Sequence, residues 1–171
     1  DLEEAMRCYP TDFDVISFAG HIYSDKGMLR EAIALFKRAI DIADTDEQIS
    51  SAWGYIGDAY HTAGNDRRAF AAYDKALRYN ADNVLVLNNY AYFLSEEGKS
   101  LKKAYKMSKK TIEAEPDNAT YLDTFGWILY LMGNPLEAKP FFKHAMLYGG
   151  KDSAVIMDHY AEVLFALKEY D

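Results

Sequence analysis

Trp53, Ile56, Gly57 and Tyr60 fall at i, i+3, i+4 and i+7, the stripe that one face of an α-helix presents. Ala69, Tyr73 and Ala76 make a similar stripe a little further along, with polar residues on the other faces. Gly64 and Asn65 stand between the two stripes, where a glycine can take the left-handed conformation that ends one helix and an asparagine can cap the next. The stretch "SSAWGYIGDAYHTAGNDRRAFAAYDKALRYNADN", residues 50–83, is therefore predicted to be helix, turn, helix.

The same pattern recurs along the chain. Small residues hold a first register at Gly20, Gly57, Ala91, Gly126 and Ala161, at spacings of 37, 34, 35 and 35. A second register runs through Ala32, Ala69, Ala104 and Ala138, and a third through Ala5, Ala39, Ala76, Thr111 and Ala145. Between the first two a glycine returns at Gly27, Gly64, Gly98 and Gly133. Small residues where two stripes cross let the backbones of a helical hairpin approach closely. Punctuation agrees: Thr45 to Gln48 has the spacing of a capping box, Asn65 and Ser100 precede second helices, and Asn134 is followed by a proline at the first helical position. Pro140 lies past the first turn, where it removes a backbone hydrogen bond, so a slight kink is expected there. Three extra residues, Glu47 to Ile49, are expected to lengthen the first helix of their unit by nearly a turn and to shift the superhelix pitch.

These units resemble tetratricopeptide repeats, with the best match at Trp53, Ile56, Gly57, Tyr60, Ala69, Tyr73 and Ala76. Pro10 and Pro116 occupy the closing-proline place of that pattern, while Asp44, Ala81 and Gly150 depart from it. The resemblance implies an all-α fold: an α-solenoid, a right-handed superhelix of antiparallel helix pairs. The registers divide the chain into the end of a truncated repeat (1–12), four repeats (13–49, 50–83, 84–118, 119–153) and the first helix of a further one (154–171). "DLEEAMRCYPTDFD" then reads as the uncapped end of a second helix, and the whole as a piece of a longer array whose end repeats are open to self-association. Residues 87–134 are also similar to long bacterial arrays of the family, some attached to the cell envelope, which leaves a cytoplasmic or a periplasmic, envelope-associated location open.

Composition narrows the function. A formal net charge of −8, with both signs interspersed, argues against nucleic acid and anionic membrane surfaces as partners. No apolar run is long enough for direct membrane insertion. Cys8 is the single cysteine, which excludes an internal disulfide and a cysteine-based zinc site. No metal, phosphate-loop or nucleophile motif is present, so no catalysis, metal or cofactor is expected. His21, Asp58 and His61 are the one set that might be brought together for acid–base work, and solvated polar residues are the preferred explanation. Lysines 102, 103, 106, 109 and 110 read as a solvated face of one second helix.

The resemblance implies that partners lie in the concave groove lined by the first helices. One step around from the packing stripe stand Asp58 and His61, then Asn88 and Tyr92, then Asp123, Trp127 and Tyr130, then Asp158 and Glu162. The C-terminal part of this set is aromatic and acidic, which suits a peptide or helix with apolar and basic side chains. Tyr92, Trp127 and Tyr130 lead the set as contact residues if exposed; the alternative is that a neighbouring helix covers them. The expected function is a protein-interaction scaffold. The alternatives are a spacer or oligomerisation segment of a larger protein, and the substrate-recruiting arm of an enzyme elsewhere in the parent chain.

Overall fold

The computed structural model describes residues 1–98 and 100–169. Lys99 lies outside the described residues, as do Tyr170 and Asp171, the last two of the expected closing segment 154–171. Among the described residues there are ten α-helices and no β-strand, so the fold is all-α. The chain divides into two compact units, residues 1–86 and 87–171, and each is taken by itself.

The first unit contains α1 (Leu2–Cys8), α2 (Phe13–Asp25), α3 (Leu29–Asp41), α4 (Asp46–Thr62), α5 (Asp66–Tyr79) and the start of α6 (Val84–Glu96). The second holds the rest of α6, then α7 (Leu101–Ala114), α8 (Ala119–Leu131), α9 (Pro135–Leu147), a 3-10 turn at Gly150–Asp152, and α10 (Ala154–Ala166). Helix α2 packs on α3, α4 on α5 and α8 on α9, each second helix turning back on its first.

What closes these hairpins is an aromatic ring of the second helix laid on a glycine of the first. A Cβ added at Gly20 would stand 2.4 Å from the Phe36 ring, one at Gly57 2.4 Å from Tyr73, and one at Gly126 2.7 Å from Phe142. Each ring lies sixteen residues after its glycine. In the remaining pair the first helix carries Ala91, and the residue at the same separation is the unbranched, buried Met107. Burying each ring contributes roughly 2–3 kcal/mol. The hairpin turns need a left-handed residue, and Gly27, Gly64, Gly98 and Gly133 supply it at φ of 64 to 85°.

Helix ends follow the sequence in most places. Thr45 Oγ1 accepts from the Gln48 amide at 3.2 Å, while the Gln48 side chain reaches back one residue further, to the Asp44 N–H at 2.7 Å. Asn65 Oδ1 accepts from Arg68 N. Ser100 makes no side-chain cap bond and sits in the left-handed region at φ 56°, and Asn134 leaves the start of its helix to Pro135. Helix α9 runs from Pro135 to Leu147 through Pro140; the carbonyl deprived of its donor belongs to the exposed Leu136, where water can serve it. Helix α4 has 17 residues against 13 in α2, the added turn falling where Glu47 to Ile49 stand. One expectation is corrected: α1 is capped. Asp1 Oδ1 accepts from the Glu4 amide at 2.8 Å, the bond that an N-cap aspartate makes.

Candidate functional site

In the first unit the groove side of α4 is occupied by local bonds. Tyr73, fully buried on Gly57, donates its hydroxyl to Asp58 Oδ1 at 2.5 Å. Burial first, and the Asp58 carboxylate second, push the Tyr73 phenol far above its ordinary pKa, so it serves as a fixed donor. His61 Nδ1 lies 2.7 Å from Asp66 Oδ1 at the start of α5 and clasps the hairpin turn. His21 packs edge-on against Tyr55, with ring centroids 4.3 Å apart. Each of the three residues considered for acid–base work thus has a partner on its own hairpin or its immediate neighbour.

In the second unit the groove residues converge. Trp127 is only 9% exposed. Its indole stacks on His159 of α10 at 4.0 Å and 13° and on Tyr130 at 5.1 Å, and its N–H donates to Glu96 Oε1 at 2.8 Å. His159 Nδ1 is 2.9 Å from Asp123 Oδ1, with both side chains nearly removed from water. Of the two expectations for Trp127, exposed contact or covered ring, the structure has the second: a polar clamp from the helices on either side of α8 closes over it. Asp123 is bonded to His159 through both carboxylate oxygens.

Beside this clamp lies a cleft of ≈ 350 Å³. Asn88, Tyr92 and Asp123 line it, joined by Phe93, Thr120 and the half-exposed Val155. Tyr92 is partly exposed, and burial, followed by Glu96 and Asp123, raises its phenol pKa, keeping the hydroxyl protonated as a donor. Asn88 is 4% exposed, and its amide reaches Asn89 Oδ1 at 3.4 Å. Its own Oδ1 is buried with no hydrogen-bond partner. An unmet buried acceptor costs about 1–3 kcal/mol, which an incoming donor can recover. Asp158 and Glu162 lie on α10 as exposed carboxylates. Among the described residues no group of three or more His, Cys, Asp or Glu side chains is arranged to hold a metal ion, and no helix is long and apolar enough to cross a membrane.

Hairpins closed by a ring on a glycine, turned by a left-handed glycine and repeated at about 35 residues have a counterpart among known families: a tetratricopeptide repeat model matches residues 11–169. The chain belongs to the tetratricopeptide repeat family. PilF, a type IV pilus assembly protein of Pseudomonas aeruginosa, is 26% identical over 153 residues, which make up 86% of this chain and 58% of that protein. The repeat-containing protein PA4667 of the same organism is 26% identical over 132 residues, 67% of this chain and 22% of that protein. The chain therefore spans under two thirds of either relative.

Among solved structures, that of Pseudomonas aeruginosa PilF superposes with a TM-score of 0.79 at 22% identity, covering 92% of this chain and 70% of that one. A chain of the APC/C hetero-tetramer Cut9–Hcn1 gives 0.83 at 18% identity over 99% of this chain and 33% of that one. At these identities the likeness is one of fold. Tetratricopeptide repeat proteins are typically scaffolds for protein–protein interaction and generally carry no catalysis of their own.

The partners of Trp127 and Asp123, which the sequence pattern does not point to, stand at characteristic separations. His159 lies 36 residues from Asp123, and Glu96 lies 31 from Trp127. Both are close to one repeat length, the separation at which neighbouring first helices meet side by side.

Proposed function

We propose that the cleft of the second unit binds a segment of a partner protein, with apolar side chains against Tyr92, Phe93 and Val155 and basic ones toward Asp158 and Glu162. The buried, unpartnered Asn88 Oδ1 is the observation that carries this reading, since it offers a desolvated acceptor to a donor on the ligand. The family's usual role supports it. Likeness to the pilus assembly protein PilF supports a setting at the bacterial envelope, as part of an assembly rather than as an enzyme.

The test is to select peptides on the immobilised protein and to measure their affinity for Asn88→Ala and Tyr92→Ala variants of unchanged helicity. Peptides carrying apolar residues beside Lys or Arg should emerge, and Tyr92→Ala should weaken them about tenfold or more. Selected peptides that bind both variants as tightly as the parent would place the contact surface elsewhere.

A further inference from the structure

The first unit contains a second recess, of ≈ 220 Å³, formed where the second helices α3 and α5 meet the flank of α4. Its apolar wall is Trp53, Ile56 and Tyr60, and the charged groups around it are Lys37, Arg68 and Lys75. Lys75 Nζ stands 4.1 Å from the Trp53 ring centroid, and the Arg68 guanidinium carbon 5.6 Å from that of Tyr60. Each cation therefore rests on a π-face, which holds it at the recess while leaving its N–H groups free to donate.

No Asp or Glu lines this recess, and among the described residues no carboxylate pairs with any of the three cations. That is not a consequence of composition, because the chain has 27 acidic residues against 19 Lys and Arg. Three like charges gathered without a counter-charge repel one another, and an anion entering the recess relieves that repulsion.

The walls decide which anion. They are helix interiors, whose backbone N–H groups are already used in the helical ladder, so a bare oxyanion finds no convergent amide donors of the kind that helix starts provide. The recess offers instead an aromatic platform with cations at its edge. We propose that it is a docking site for an acidic segment of a partner protein: an apolar side chain seats on Trp53 and Tyr60, and flanking carboxylates pair with Lys37, Arg68 and Lys75. This site is independent of the cleft of the second unit, and its charge preference is opposite.

The experiment titrates the full 171-residue chain with a blocked peptide in which Leu and Phe alternate with Glu, following the indole N–H resonance of Trp53. The same peptide with Gln for Glu, and inorganic phosphate, serve as the comparison probes. The acidic peptide at millimolar concentration should shift the Trp53 signal, and the shift should shrink as salt is raised. Each of Lys37→Gln, Arg68→Gln and Lys75→Gln should weaken binding about two- to fivefold, the range of an exposed charge pair. Lys37→Gln, which disturbs neither ring contact, guards against an effect of misplaced aromatics. No shift with the acidic peptide, an equal response to the Gln peptide, or the same shift with phosphate alone would each overturn the proposal.

Discussion

Trp53 and Trp127 are both carried by first helices, one in each unit, and their environments are the reverse of what their positions suggest. Trp53 belongs to the packing stripe, in the column of Ile16, Leu87 and Leu122, yet it is only partly buried and has Lys75 on its face. Trp127 belongs to the groove column, with Asp58 and Tyr92, yet it is buried under His159 and tied to Glu96. A helix stripe states which way a side chain points. What it meets there is set by the helices packed around it, and in these two units they bring opposite chemistry: a lysine of its own hairpin in the first, a histidine–aspartate pair and a carboxylate of the neighbouring hairpins in the second.

The largest expected effect separates the two tryptophans. Trp127→Ala removes a buried ring, the stacking surface of His159 and the N–H donor of Glu96, so it should lower stability by about 3–5 kcal/mol. Trp53→Ala removes a half-buried ring and one cation–π contact, and about 1–2 kcal/mol is expected. Urea denaturation of both variants measures the difference. Equal losses would return Trp127 to the status of a surface residue and remove the contrast between the units.

A smaller effect probes what the units share. At Gly57 an alanine Cβ would collide with Tyr73, whose ring cannot swing away while its hydroxyl is held by Asp58. Gly57→Ala should therefore cost about 1–3 kcal/mol, as overpacking does. Gly126→Ala, where the contact is looser and no such bond to Phe142 exists, should cost less. The order of the two thermal midpoints checks this, and a reversed order would mean that the Tyr73 hydrogen bond does not fix the ring.

How much of this was legible in the sequence follows from the range of each interaction. Helices, turn glycines and the small-residue registers were readable because they are local, set by stripes of three or four residues and by a turn that demands positive φ. The cap of α1 is also local, since an Asp before the first helical turn carries the same signal as a Ser or Thr. The pairing of Gly57 with Tyr73 follows from a fixed separation within one hairpin. By contrast, the Asp123–His159 and Trp127–Glu96 pairs join different hairpins, and nothing in the periodicity of one helix names the residue opposite on the next. For the same reason Lys37, Arg68 and Lys75, spread over two second helices, did not read as a cluster.

The smallest effect concerns Tyr73 and has a definite sign. In the unfolded chain its phenol ionises near pH 10, whereas in the first unit burial and the neighbouring Asp58 carboxylate keep it protonated well beyond that. Above pH 10 the unfolded state therefore releases a proton that the folded state retains, and stability falls as pH rises. The contribution is fully present below pH 10 and is lost by at most about 1.4 kcal/mol per further pH unit. Tyr73→Phe should cost about 1–2 kcal/mol at neutral pH, since the hydrogen bond to Asp58 is lost, but its stability should decline less steeply between roughly pH 10 and 11 than that of the parent. Parallel slopes for the two proteins would show that the Tyr73 phenol ionises as freely in the fold as outside it.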